Sequence, residues 1–246
     1  MVIFRSLALV SLLVFFSCNQ KNKVETETIR QIDSLALAQA QSGRQNFQVV
    51  AAEKESNTEA AKPNVLSKDE EEIQNLIRQV LSWSNSEKAI TLLPALTDGK
   101  GAVYIGFDMS MHRANLQSLR KTGIFSDEFI EDYDRIILTL NRKLKNKELD
   151  EWLVGELPTF SFANDVDPWC LCQDVPYDTP NPWASVEVEA LVLKDNEGSF
   201  QWKWGKLGLN HSPDWKEFRY RFKVKKSNGQ WKVSYLEGFD FEKSTK

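Results

Sequence analysis

The stretch FRYRFKVKKSNGQWKVSY, residues 218–235, decides the fold. Phe218, Tyr220, Phe222 and Val224 alternate with Arg219, Arg221, Lys223 and Lys225. Successive side chains of a strand point to opposite faces, so this alternation describes one apolar and one basic face. Asn228-Gly229 follows, a pair that tolerates the positive φ both central residues of a primed hairpin turn require. Trp231, Val233 and Tyr235 then continue on one parity. Working back along the chain, Val186, Val188, Ala190 and Val192 alternate with Ser185, Glu187 and Glu189. DNEGS, residues 195–199, is a turn, and Phe200, Trp202 and Trp204 alternate beyond it. The reading is a four-stranded antiparallel run with one apolar face, which must be buried against something.

The cover lies upstream. Ser67 and Glu70 have the spacing of a capping box, and Ile73, Leu76, Ile77, Val80 and Leu81 repeat at helical intervals before a stop near Trp83. Pro94 breaks any helix through Leu92, Leu93 and Leu96, and residues 102–107 suit a short extended segment. A second helix begins near Met109, with Leu116 and Leu119 inward and Gly123 just past its end. Ser126 then caps a third, strengthened by Asp127 and Glu128 in its first turn. Phe129, Ile130, Tyr133, Ile136, Ile137, Leu140 and Leu144 form its stripe. A helical turn is expected at residues 148–153. The fold class is α+β: N-terminal helices packed on a bent four-stranded antiparallel sheet, in a domain spanning residues 67–246.

Residues 1–17 read as a secretion signal, with Arg5 in a positive n-region and an apolar run from Leu7 to Phe16 too short to be a comfortable membrane span. Residues 18–66 begin with Cys18 and continue as a polar tether, rich in Glu, Gln, Ala and Ser and too poor in apolar residues to fold alone. As a flexible coil it would span roughly 35–40 Å.

Across the chain, 31 basic against 35 acidic residues give a net charge of −4, which argues against a globally basic nucleic-acid binder. Eight Trp and 14 Phe supply ample area for a core.

Several segments carry a family resemblance. FFSC, residues 15–18, resembles the lipobox of bacterial lipoproteins, which implies cleavage before Cys18, its lipidation, and attachment to a membrane of the cell envelope. LSW (81–83), FSDEFIEDY (125–133), DPWCLCQD (167–174) and GQWKVSYLEG (229–238) are similar to segments of the nuclear transport factor 2-like superfamily, and more narrowly to a bacterial family of secreted or lipoprotein domains on that fold. The resemblance implies helices folded against a strongly bent sheet as a cone with a pocket. Because that superfamily includes enzymes with a carboxylate base, it also implies a general-base alternative for Asp167 or Asp174.

The remaining chemistry is sparse. Cys170 and Cys172 would meet one zinc ion only with two further ligands, and His112 and His211 are the sole histidines. A Cys170–Cys172 disulfide would close a very small loop and constrain little unfolded-chain entropy. Free or loosely paired thiols are expected, at least one packed beside Trp169. Asp165, Asp167, Asp174 and Asp178 fit no calcium-loop spacing and read as turn residues. His112 and His211 have no nucleophile at a recognisable interval and are expected at the surface or at caps. Arg219, Arg221, Lys223 and Lys225 suit an anion, but Glu187 and Glu189 have the parity to share their face, so cross-strand pairing is the expected role.

The reading at this point is a lipid-anchored envelope protein whose domain binds a small ligand or protein partner without catalysis. The alternatives are a hydrolase or isomerase, and a structural component of an envelope complex. Trp169, Asp167, Asp174, Trp202 and Tyr220 are the candidate ligand-binding residues, and no metal or cofactor is called for.

Overall fold

A computed structural model describes residues 66–246. The readings on residues 1–17, Cys18 and the tether lie outside the described residues. Helix α1, Lys68–Ser84, opens with the capping box: the Ser67 hydroxyl accepts from Glu70 N at 3.3 Å, and the Glu70 carboxylate accepts from Ser67 N at 2.8 Å. Its five stripe residues are all buried. Strands β1 (Ala95–Thr97) and β2 (Tyr104–Phe107) form a small antiparallel hairpin. The Asp98 carboxylate closes it, accepting from Ala102 N at 2.8 Å and Val103 N at 3.3 Å. These bonds hold that carboxyl below the usual aspartate range.

Helix α2, Met109–Thr122, is capped by Asp108 and ends at Gly123, whose φ of 71° suits the left-handed C-terminal position. Helix α3, Asp127–Lys145, starts at Ser126 and buries every stripe residue except the half-buried Leu144. The turn expected as helical at 148–153 is extended instead. Lys147 at φ 58° turns the chain out of α3, and Arg142 and Asn146 hold the Glu148 carboxylate at 2.6 and 2.9 Å. Residues 152–154 then pair beside β2, with Tyr104 N donating to Trp152 O and Val154 N to Ala102 O.

The main sheet is an open meander in the order β3-β4-β5-β6: β3 Val186–Lys194, β4 Glu197–Trp204, β5 Tyr220–Ser227 and β6 Gln230–Leu236, all antiparallel. A short helix α4, Pro213–Glu217, precedes β5, and α5, Phe241–Ser244, follows β6. Asn228 and Gly229 take φ 51° and 77°, closing the β5–β6 hairpin as a primed turn between Ser227 and Gln230.

Two irregularities correct the simple alternation. The β3–β4 register slips between Ala190 and Val192, so Val192 stands 62% exposed and Ala190 is exposed too. The β5–β6 register slips so that Lys223 pairs with Tyr235 and Val224 with Val233, leaving Ser234 as the extra residue. Past that bulge the parity reverses: Leu236 is buried and Tyr235 turns outward.

Both edges of the sheet are partly covered. Residues 124–126 run parallel to β6, with Val233 N donating to Ile124 O and Ser126 N to Val233 O, both at 2.9 Å. On the other edge α1 supplies side chains: Arg78 Nε donates to Val186 O at 2.8 Å, and Gln74 Oε1 accepts from Val188 N at 3.1 Å. At its start, the Asp69 carboxylate accepts from Lys226 Nζ and Trp231 Nε1, each at 2.9 Å. Helix α1 therefore crosses the apolar face from the β5–β6 hairpin to β3. No helix among the described residues is long and apolar enough to cross a membrane.

Candidate functional site

The segment DPWCLCQD, residues 167–174, carries most of the residues singled out from the sequence. Pro168 brings Trp169 into the space between α1, α3 and the sheet. Its ring lies 4.5 Å from Phe239, 5.5 Å from Trp83, 5.7 Å from Phe125 and 6.0 Å from Phe129. The Asp167 carboxylate accepts from Trp169 N at 3.0 Å, and burial pushes its pKa up. Pro168 O accepts from the Tyr220 hydroxyl at 2.8 Å, and that hydroxyl accepts from Gly238 N at 3.1 Å. Glycine is required at 238 by close approach, since a Cβ there would sit 2.0 Å from Pro168 O. Trp202 stacks on Tyr220 at 5.6 Å.

Four of the five candidates are therefore brought together, but into packing. Trp169 is 2% exposed, and Trp202 and Tyr220 are fully buried. Burial also pushes the Tyr220 phenol well above its ordinary range. Asp174 stays apart, exposed, its carboxylate accepting only from the adjacent Val175 N. Phe239, in the turn Glu237–Phe239 after β6, completes the aromatic cluster. It escaped the sequence reading because a lone Phe after a strand carries no period.

The cysteines differ from expectation: Cys170 and Cys172 are joined as a disulfide. The turn makes this feasible, because Leu171 at φ 51° and the Asp167–Cys172 bridge fold the chain back within a few residues. His112 is also corrected. It is 1% exposed, wedged between α2 and α3, with Nε2 2.6 Å from Asp134 Oδ1 and Nδ1 lacking a partner among the described residues. His211 sits in its turn as expected, with Nε2 2.9 Å from Pro176 O. Among the described residues no cluster of three or more His, Cys, Asp or Glu side chains is placed to hold a metal ion.

The open concavity is on the opposite face of the sheet. A cleft of about 690 Å³ is lined by Glu128, Val192, Lys194, Glu197, Lys223 and Ser234, among others. Both bulges border it, at Val192 on one side and Ser234 on the other, and a bulge increases the local twist of a strand. Glu128 reaches it because residues 124–126 are tied to β6. A smaller cleft of about 270 Å³ adjoins, sharing Glu128 and Lys225 and adding Asp127, Lys226 and Lys232.

The basic ladder is only partly engaged, and not by the glutamates expected, since Glu187 and Glu189 face Lys203 and Gln201 of β4. Lys225 Nζ lies 3.5 Å from Glu197, Arg221 3.7 Å from Glu237, and Lys203 3.9 Å from Glu187. Lys223 Nζ sits 5.3 Å above the Tyr235 ring. The cleft thus presents both signs of charge on a wet surface. Comparison with known proteins adds nothing to this geometry: no family model, no curated protein and no solved structure matches the chain.

Proposed function

We propose that this chain is a lipid-anchored protein of the bacterial cell envelope, held to a membrane through Cys18 and its polar tether. Its α+β domain, on the lines of the nuclear transport factor 2-like cone, is a non-catalytic binding module. It binds through the outer-face cleft, and its partner is a polar protein segment carrying both charges.

One observation carries the binding surface. The space under the sheet is filled by Trp169, Trp202, Tyr220 and Phe239, while the outer face holds the open concavity. Small-molecule sites are mostly apolar with a few polar groups. This cleft offers lysines, glutamates and Ser234, which suits a partner's charged surface better. Asp167 lends the hydrolase or isomerase alternative little, because its carboxylate is held by Trp169 N and borders none of the clefts described above. Exposed Ile105, Leu153 and Val154, on extended segments that pair side by side, favour the structural-component alternative, since adjoining exposed apolar side chains suit a protein contact.

Two measurements test the reading. Metabolic labelling with a fatty-acid analogue is expected to mark the natural chain and not Cys18→Ala; equal labelling removes the anchor. A photo-crosslinker at Lys223 is expected to capture a discrete envelope protein, lost on Lys225→Glu, while one at Ile105 captures none. Capture at Ile105 alone moves the interface to the β1–β2 hairpin.

A further inference from the structure

We propose that Cys170 and Cys172 form a thiol–disulfide exchange site, whose partner is a protein or small molecule bearing two thiols. The first ground is that the crosslink is redundant as a brace. It joins residues two apart, so the loop it closes is minimal and it removes little freedom from the unfolded chain. The same turn is already closed by hydrogen bonds. Asp167 N donates to Cys172 O at 3.0 Å, Leu171 N to Asp167 O at 2.7 Å, and Cys170 N to Asp167 O at 3.2 Å. Trp169 and the Tyr220–Pro168 bond anchor it to the core. The turn therefore keeps its shape with or without the sulfur–sulfur bond, and both redox states remain folded. That is what a reversible couple needs.

The second ground is asymmetry. Cys170 is 3% exposed, whereas Cys172 is half-buried and is followed in the chain by the exposed Gln173 and Asp174. An incoming thiolate reaches the sulfur of Cys172 and expels that of Cys170. A new bond forms between the partner's sulfur and Cys172, and the proton shed by the attacking thiol ends on Cys170. Two carbonyl oxygens, of Asp167 and Cys172, lie 3.8 and 3.7 Å from the Cys170 sulfur and accept that S–H. The partner's second thiol then attacks its own sulfur in the mixed disulfide. Cys172 leaves as a thiol and the partner leaves as a disulfide. The chain gains two electrons and two protons, and the partner loses the same. A single thiol completes this poorly, because Cys170 stays beside the mixed disulfide and re-closes the ring.

The test uses the full chain carrying Cys18→Ala, which leaves only the two cysteines in question. It is titrated with dithiothreitol at varied ratios of reduced to oxidised reagent. Alkylation and mass measurement count the free thiols, and far-ultraviolet circular dichroism follows the fold. The expected result is reversible gain of two thiols with no loss of the folded signal. Reduction only in step with unfolding, or resistance until denaturant is added, overturns the proposal. A matched concentration of glutathione is expected to leave the pair largely oxidised; equal reduction by glutathione rejects the two-thiol partner. Single-thiol variants fix the direction of attack. Cys172 in Cys170→Ser is expected to react with an aromatic disulfide about tenfold faster than Cys170 in Cys172→Ser, because access governs the rate. Equal rates, or the reverse, overturn the assignment of Cys172 as the attacked sulfur.

Discussion

On β5, Tyr220 and Arg221 are neighbours in the chain and opposites in environment. Tyr220 is fully buried, stacked on Trp202 and bonded through its hydroxyl to Pro168 O. Arg221 stands on the outer face, 66% exposed, with Glu237 3.7 Å away in high dielectric. Removing apolar area from water contributes about 25 cal/mol for each Å², whereas an exposed ion pair is worth about 0–1 kcal/mol. The two faces thus divide the labour. The inner face holds the domain together, and the outer face is free to vary its charges without unfolding it.

The sharpest way to break that contrast is Trp169→Ala. Losing a buried Trp costs about 3–5 kcal/mol, so chemical denaturation should show a collapse of most of the domain's stability. A loss under about 1 kcal/mol would mean that the segment around Trp169 does not lean on the core. Gly229→Val probes the hairpin that joins β5 to β6. With φ at 77°, a β-branched side chain is expected to cost about 1–3 kcal/mol in the same assay, and no change would place the turn elsewhere.

Asp167→Asn is smaller and its sign depends on pH. Burial raises the carboxyl's pKa in the folded state above its unfolded value. Its favourable contribution is therefore complete below the unfolded pKa and is lost as pH rises through the folded one. The amide keeps an oxygen for Trp169 N and removes the charge. Melting temperature is expected to exceed the natural chain's at neutral pH and to converge with it toward about pH 4, near the ordinary aspartate value. A variant less stable at every pH would show that the carboxylate is needed charged. Lys225→Ala, on the outer face, is expected to change stability by no more than about 0.5 kcal/mol. A larger cost would mean the outer ladder holds the sheet as well as decorating it.

What was legible in the sequence was local. The Ser67–Glu70 box, the Ser126 cap, the stripe from Phe129 to Leu140 and the Asn228-Gly229 turn each depend on residues a few positions apart, and each stands where its spacing put it. The bulges at β3 and at Ser234 were not legible, because they are set by how one strand meets its neighbour. That single uncertainty misassigned Val192 and Tyr235 together. The candidate site suffered more. An aromatic residue that packs and one that lines a cavity have the same letter, so Trp169, Trp202 and Tyr220 were chosen for chemistry and found in the core. Lys223 and Lys225 read in the sequence only as part of a charge ladder, since nothing in one strand says that Glu128 of a distant helix will line the same cleft.

The clip between Asp69 and the pair Lys226 and Trp231 joins residues 157 and 162 positions apart. As the chain is made from its N-terminus, helix α1 emerges long before the hairpin it rests on. Ile73, Leu76, Ile77, Val80 and Leu81 then have no sheet to cover them until β3 arrives, and no complete one until β6 does. Synthesis at roughly 5–20 residues per second leaves that stripe open for many seconds. The domain is therefore a late closer, and a companion able to shield an apolar helix during that interval would matter more to its yield than to its final stability.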